Sequence, residues 1–331
     1  MVAVTGATGH LGNVLVRELV LRGETVRALV PDSEDRSPIA ELPVEIVSGD
    51  VRDPGSLARA FDGADIVYHL AGIITISSGR RALLEAVNVQ GTRNVVRACV
   101  QTRVRRLVYT SSVHALPEPP HGAPVCESSD FRPERLLGDY AQSKARASAE
   151  VLDGVRAGLD AVLVFPSGII GPYDFRGSEM GELIRDIASG RLRAYIDGAY
   201  DFVDVRDVVQ GLVLAAERGR TGEGYILSGE KVTVRDLLRI VGSAAGMAVR
   251  PVRLPFWLAR VAAFFAPVYY RLARRRPRFT GYSLKVLLSN CLMDRGKAQR
   301  ELGYSPRPLR EAVQATVEWL QTGRLATSTR A

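Results

Sequence analysis

Met1-Val-Ala-Val-Thr-Gly-Ala-Thr-Gly-His-Leu-Gly12 opens on an apolar run and then sets glycines at positions 6, 9 and 12. A buried strand that turns directly into a helix has this layout. Gly6 permits the tight turn, Gly9 lets the backbone approach a ligand with no Cβ in the way, and Gly12 lets the helix that begins near His10 pack close to the sheet. The free N–H groups of that helix start face any bound anion, so the loop is a seat for a dinucleotide pyrophosphate. The spacing is G-x-x-G-x-x-G, one residue longer than G-x-G-x-x-G, and glycine triplets also occur in plain strand-to-helix turns. Context favours the binding reading: Leu11, Leu15 and Leu19 continue as an amphipathic helix, and a second strand-like run follows at Thr25–Val30.

The alternation continues along the chain. Strands are expected at Met1–Thr5, Thr25–Val30, Val44–Val47, Ile66–Leu70, Arg106–Thr110 and Ala161–Phe165, with helices between them, clearest over Arg80–Val100 and Leu136–Arg156. This pattern predicts an α/β fold, a doubly wound parallel sheet with right-handed crossovers. Residues 1–165 are expected to form a nucleotide-binding domain. Residues 166–331, where the pattern breaks into shorter elements, are expected to be mainly a smaller substrate domain that returns a strand, near Tyr225–Ser228, to the main sheet. The proline-rich, polar stretch 117–133 reads as an irregular loop near the catalytic mouth.

Composition sets limits. At 331 residues and 46% hydrophobic the chain can bury a large core and is long for one domain. The opening strand has no signal-peptide n-region or h-region before it, so no cleavable signal is expected, and a cytoplasmic location is. Cys99, Cys126 and Cys291 are odd in number and widely spaced, which reads as free thiols in a reducing compartment. His10, His69, His114 and His121 have no metal-ligand spacing, and no metal site is expected.

Two further pieces turn a binding loop into a catalyst. Leu107-Val-Tyr-Thr-Ser-Ser112 reads as a strand ending in hydroxyls, and Tyr140-Ala-Gln-Ser-Lys144 puts two side chains one turn apart on a helix face. A phenol titrates near ~10 in water. A lysine ammonium one turn away and an oxidised nicotinamide would both lower that value, making Tyr140 a credible acid/base. Ser112 can hold the substrate's carbonyl or alcohol oxygen while hydride moves to or from the nicotinamide. Ser111 reads as a backbone-satisfying hydroxyl, and His69 as a structural residue at a strand end. As a bland rival, Tyr140 and Lys144 are an ordinary surface pair; their coupling to Ser112 and the glycine loop favours catalysis.

These motifs, in this order, resemble the extended short-chain dehydrogenase/reductases, the NAD-dependent epimerase/dehydratase group, over nearly the whole chain. Thr5-Gly-Ala-Thr-Gly-His-Leu-Gly12 is similar to the family's Rossmann-type cofactor fingerprint. Gly49-Asp-Val-Arg-Asp53 is similar to its adenine-contacting turn, and His69-Leu-Ala-Gly72 to the strand end lining the nicotinamide ribose. Asn88-Val-Gln-Gly-Thr92 resembles the central-helix motif, Pro166-Ser-Gly-Ile-Ile-Gly-Pro172 the nicotinamide-side loop, and Phe202-Val-Asp-Val-Arg-Asp207 the C-terminal motif. The resemblance implies cofactor contacts from Gly6, Thr8, Gly9, His10, Leu11, Gly12, Asp50, Val51, Leu70, Ala71, Gly72, Tyr140, Lys144, Pro166 and Ile169. It implies catalytic roles for Ser112, Tyr140, Lys144 and Asn88, the last in a proton relay to Lys144 or simply as a helix-packing amide. His114, Ser167, Tyr173 and Phe202 fall where substrate is expected, and the resemblance also implies a homodimer.

Finer comparison narrows the branch. Sugar-4,6-dehydratases usually carry Asp-Glu after the strand-end threonine, where this chain has Ser111-Ser112. Sugar epimerases typically place a phosphate-gripping arginine two residues before the aromatic that corresponds to Phe202, where Tyr200 stands here. The chain is more similar to the dihydroflavonol-reductase and 3β-hydroxysteroid-dehydrogenase branch, whose substrates are bulky and largely apolar. A ketone/alcohol oxidoreductase is therefore expected; the alternatives are a nucleotide-sugar epimerase using the same Tyr140 chemistry and a non-catalytic NAD(P)-sensing protein, a class that often lacks the tyrosine-lysine pair. The cofactor is NAD(P). Val30 occupies the place where NAD-selective enzymes carry an acid, and Arg27 or Arg36 could meet a 2′-phosphate, so NADP(H) is slightly favoured; Asp32 could still serve NAD.

One segment departs from the average. Arg250 to Arg278 holds eight arginines and no acid, which accounts for the whole net charge of +8. Within it, 255–270 is apolar and aromatic but interrupted by Arg260 and Pro267, too short and broken to span a bilayer. A lid over an apolar pocket is the preferred reading, and a peripheral helix on anionic lipid through 254–278 is the alternative. No nucleic-acid module accompanies the basic cluster, so nucleic-acid binding is not expected.

Overall fold

A computed structural model of the chain describes residues 1–75, 80–261, 284 and 287–323. Most of the segment 254–278 lies outside the described residues, including the part that would decide between a lid and a surface helix. Among the described residues no helix is long and apolar enough to cross a membrane.

The expected parallel sheet is present. Its strands are β1 (Val2–Thr5), β2 (Val26–Val30), β3 (Glu45–Ser48), β4 (Ile66–His69), β5 (Arg106–Thr110) and β6 (Ala161–Pro166). A seventh strand comes from the C-terminal half, and every pairing is parallel. All residues of β1 and β6 are buried, as required of strands covered on both faces. The covering helices are α1 (His10–Leu21), α2 (Pro54–Phe61), α3 (Arg81–Leu84), α4 (Gly91–Gln101) and α5 (Asp139–Arg156). Asp53 caps α2 by accepting the Gly55 N–H at 2.9 Å, and Pro54 sits where the first turn needs no N–H. Small residues on α5, including Ala141, Ala145, Ala147 and Ser148, are buried, so that helix lies close to the sheet. The expected single helix 80–100 is interrupted: Glu85–Gln90 winds as a π-helix between α3 and α4. The wider turn carries Asn88, and such π segments are frequent at functional sites.

After β6 come β7 (Gly168–Ile170), α6 (Glu179–Ala188), β8 (Ala194–Tyr195), β9 (Ala199–Asp204), α7 (Val205–Arg218) and β10 (Gly224–Leu227). β11 (Glu230–Thr233), α8 (Val234–Ala244), β12 (Val252–Arg253), α9 (Gly296–Leu302) and α10 (Leu309–Thr322) follow. β10 pairs with β6, so the seven-stranded order is β10-β6-β5-β4-β1-β2-β3. β7, β9 and β11 form a second sheet with its own core around Ile170, Ile184, Phe202 and Leu238. Asp204 caps α7 through the Arg206 N–H at 2.8 Å, and Asp207 holds Arg307 at 2.9 Å, so this motif joins the second sheet to the C-terminal segment.

Strand order reverses between β1 and β4. In open parallel sheets the ligand crevice lies at such a switch point, outside the carboxyl ends of the strands. The glycine loop follows β1 and Leu70–Gly72 follows β4, so the topology puts both at one crevice.

Candidate active site

The crevice floor is built by close approach. Gly6 has φ +71°, a conformation that favours glycine, and a Cβ there would lie 2.7 Å from the Ala71 nitrogen. A Cβ at Gly12 would lie 2.0 Å from the Gly6 carbonyl oxygen. Gly9 differs: its Cβ would meet only that same oxygen, at 3.3 Å, leaving the side away from the sheet open. α1 has Gly9 as its N-cap with no side-chain cap, which leaves first-turn N–H groups to an anion. The cradle therefore fits a dinucleotide phosphate, with Thr8, Gly9, His10, Leu11 and Gly12 around it.

A buried chain of hydrogen bonds fixes the two sides of the floor. Thr92 Oγ1 donates to the Asn88 carbonyl at 2.6 Å, so it accepts from His69 Nε2 at 3.0 Å. His69 Nδ1 then accepts from Thr5 Oγ1 at 2.7 Å, and Thr5 Oγ1 in turn accepts the Ala71 N–H at 3.2 Å. Burial, with Lys144 nearby, lowers the His69 pKa to about 3 and keeps the ring neutral. Both ring nitrogens are engaged, and His69 is a structural element here.

On the adenosine side, Asp50 is held by Arg52 at 2.6 Å. The Val51 side chain is buried against α4, where a Cβ on Gly91 would meet it at 2.7 Å; only the Val51 main chain can face a nucleotide. Arg27 cannot take the role expected of it. It lies near the start of β2, where it pairs with Glu45 at 2.8 Å and donates to the Asp62 carbonyl at 2.7 Å.

The reacting groups come from β5 and α5. Tyr140 and Lys144 are both buried, one turn apart, and Lys144 Nζ donates to the Thr110 carbonyl at 2.8 Å. The ammonium also lies 5.0 Å from the Tyr109 ring centroid. Burial pushes the Lys144 pKa down to about 8. Ser111 and Ser112 are handled differently. Ser148 Oγ donates to the Lys144 carbonyl at 2.9 Å and so accepts from Ser111 Oγ at 2.8 Å, which turns Ser111 towards α5. Ser112 caps the next 3₁₀ turn, accepting the His114 N–H at 3.3 Å. The His114 ring packs edge-on to Tyr140, centroids 6.5 Å apart.

The Asn88 side chain clamps the loop after β4 to α5. Its Oδ1 accepts the Ile73 N–H at 2.8 Å, and its Nδ2 donates to the Ile73 carbonyl and to Ser143 Oγ, both at 3.0 Å. Both amide hydrogens are committed to protein partners. A Cβ on Gly72 would lie 3.3 Å from Lys144 Nζ and 3.4 Å from Asn88 Oδ1, so Gly72 lines the same pocket. Pro166 ends β6, and Ile169 pairs with Val203 in the second sheet.

Not every residue anticipated at the substrate mouth is there. Phe202 is a core residue of the second sheet, packed on Tyr200 at 5.7 Å, so it cannot face substrate. The Tyr173 ring is engaged elsewhere, packed on Trp319 at 4.9 Å with the Arg17 guanidinium 4.8 Å from it. Ser167 follows β6 and its main-chain N–H donates to the Leu227 carbonyl at 3.3 Å, tying it to β10. Missed by the sequence reading were Glu34 and Arg176, which meet at Thr8 on the glycine loop, 2.6 Å apart. Nothing in the irregular stretch around Arg176 marks it in sequence.

Residues 2–228 match the model of the NAD dependent epimerase/dehydratase family. The chain is 39% identical to sterol demethylase protein B of Methylococcus capsulatus, covering 96% of this chain and 97% of that one. It is 33% identical to a putative dihydroflavonol 4-reductase of Synechocystis, over 96% and 94% of the two chains. The crystal structure of gox2253 superposes with a TM-score of 0.85 at 38% identity, covering 98% of this chain and 99% of that one. The fold, the crevice and these likenesses agree, and the chain belongs to the NAD-dependent epimerase/dehydratase family, enzymes of the extended short-chain dehydrogenase/reductase type.

Proposed function

We propose that this chain is an NAD(P)-dependent oxidoreductase that interconverts a ketone and a secondary alcohol on a bulky, largely apolar substrate. The observation that carries the reading is the Tyr140–Lys144 pair, buried at the end of β5 with the ammonium fixed to the Thr110 carbonyl. The names of the relatives, a sterol protein and a dihydroflavonol reductase, support the apolar class. Tyr200 at the position where epimerases place a phosphate-gripping arginine supports it too.

In the reductive direction Ser112 Oγ orients the substrate carbonyl oxygen by a hydrogen bond. Tyr140 Oη delivers a proton to that oxygen as the carbon becomes tetrahedral. A bound nicotinamide supplies the hydride. The Lys144 charge one turn away stabilises the phenolate left behind, and the dry surroundings strengthen that attraction. Asn88 holds Ile73 and Ser143 so that the floor beneath Lys144 stays in place.

The apolar body of the substrate is assigned to the side where 256–258 lies. Ala259 packs with Ile196 and Leu287, and residues 290–294 run past the loop beyond His114, with the Val125 N–H donating to the Leu292 carbonyl at 2.7 Å. The test is oxidation of NADH or NADPH by the purified protein with a panel of apolar cyclic ketones. Turnover that vanishes in Tyr140→Phe, by about 10²-fold or more, is expected. Epimerisation of a nucleotide sugar with no net use of the nicotinamide would replace this reading with the epimerase one.

A further inference from the structure

Each reduction of a ketone takes a proton from Tyr140, and the next turnover needs another. The polar side chains around Tyr140 differ in their access to water. Lys144, Ser112, Ser143 and Tyr109 are all buried. His114 is exposed, although its ring packs edge-on to Tyr140 with the centroids 6.5 Å apart. Alone among these it meets both Tyr140 and water.

A local device puts it there. The Ser112 side chain accepts the His114 N–H at 3.3 Å, the Ser112 carbonyl accepts the Ala115 N–H at 2.9 Å, and the Val113 carbonyl accepts the Leu116 N–H at 3.1 Å. Val113, Ala115 and Leu116 are buried in the core they share with Leu107 of β5 and Ala145 of α5. A tight turn whose other residues are anchored in this way leaves His114 as its outward residue and fixes it beside the catalytic helix. The titratable groups beside the ring are Tyr140 on α5 and Glu118 on the loop that follows. Desolvation by the surrounding protein lowers the His114 pKa, and the Glu118 charge only partly opposes it. At pH 7 the imidazole is therefore neutral, with one N–H to give and one lone pair to receive.

We propose that His114 supplies the proton that recharges Tyr140. After hydride transfer an imidazole N–H breaks as the Tyr140 O–H bond is remade, directly or through one bridging water, and the other ring nitrogen takes a proton from solvent. One solvent proton is thus consumed for each ketone reduced, which balances the hydride given by the nicotinamide. In alcohol oxidation the same path runs outward. The assignment rests on the oxidoreductase reading above.

Stopped-flow mixing of the protein and NADH or NADPH with the apolar ketone it turns over best tests the assignment, with the absorbance of the reduced nicotinamide as readout and enough protein to resolve one turnover. In His114→Phe, which keeps an aromatic ring against Tyr140, the first turnover should run near the wild-type rate, because Tyr140 starts protonated. Later turnovers should slow, so that the ratio of first-turnover to steady-state rate exceeds the wild-type ratio by at least about tenfold. Accordingly kcat should fall with kcat/KM for the ketone little changed, whereas a lost substrate contact lowers kcat/KM. In His114→Ala, added imidazole should restore steady-state turnover. First-turnover and steady-state rates slowed alike, both unchanged, or no rescue by imidazole overturns this assignment alone. A wild-type protein that oxidises neither NADH nor NADPH with any ketone of the panel overturns the oxidoreductase reading and the assignment with it.

Discussion

The Lys144 ammonium donates to the Thr110 carbonyl at 2.8 Å, tying the middle of α5 to the last residue of β5. That bond sets Tyr140, one turn before Lys144, relative to Ser112, two residues beyond Thr110. An acid and an oxygen-holding hydroxyl thus come from two elements locked to each other, with the charge that assists the acid as the lock.

Adjacent serines divide structure from chemistry. Ser111 donates to Ser148, which donates to the Lys144 carbonyl, whereas the Ser112 side chain, among the described residues, has only the weak 3.3 Å cap to the His114 N–H. Ser112→Ala should lower kcat by about 10²-fold with the melting temperature nearly unchanged. Ser111→Ala should cost about 1 kcal/mol of stability and leave kcat within a few-fold. Steady-state kinetics and thermal melts of the two variants check the division, and the reverse ranking in kcat would assign the wrong hydroxyl to substrate.

Burial of Lys144 has a stability consequence. Below pH 8 the folded and unfolded chains both carry its proton, and the folded chain bears the full cost of burying the charge. Between about 8 and the ordinary value of 10.5 the unfolded chain holds more of the proton, so this contribution to stability rises with pH. Lys144→Met should therefore be more stable than wild type at pH 7 by about 1–2 kcal/mol, after the loss of the Thr110 bond, and the advantage should shrink towards pH 10. Turnover should be lost at every pH. Urea unfolding across pH 6–10 measures it; a variant less stable by a constant amount would mean the hydrogen bond dominates.

The glycines separate folding from binding. Gly12→Ala puts a Cβ 2.0 Å from the Gly6 oxygen, and only a shift of α1 relieves that, so the variant should lose about 3 kcal/mol or more. Gly9→Val meets that oxygen at 3.3 Å and projects otherwise into the crevice, so the protein should fold and fail to bind dinucleotide. Thermal melts paired with calorimetric titration distinguish the two, and wild-type affinity in Gly9→Val would reduce the loop to a turn.

The sequence carries the sheet plainly because strands buried on both faces must be apolar, and the runs at Val2–Thr5 and Ala161–Pro166 are. It carries Tyr140 and Lys144 because a spacing of four has one meaning on a helix. It does not carry Phe202 as core, since an aromatic in a short strand reads alike from either face until the sheet's partner is known. Nor does it carry Glu34 and Arg176, whose meeting depends on a left-handed turn at Tyr173, a conformation with no composition signal in a non-glycine residue.

Trp257 is the natural probe for the apolar segment, being 66% exposed beside Phe256 at 39%, while the only other tryptophan, Trp319, is packed on Tyr173 and Phe175. If this stretch covers the substrate's apolar body, as proposed, an apolar ketone should shift Trp257 emission to the blue with no lipid present. Trp257→Ser should then raise KM about tenfold and leave cofactor affinity unchanged. A face for anionic lipid predicts the opposite pattern: acidic vesicles shift the emission, salt reverses the shift, and KM for a water-soluble ketone stays put. Emission spectra with ketone alone, with acidic vesicles and with neutral vesicles separate the two, Trp257→Phe serving to assign the signal. A shift with acidic vesicles only would move this segment from the substrate to the membrane surface.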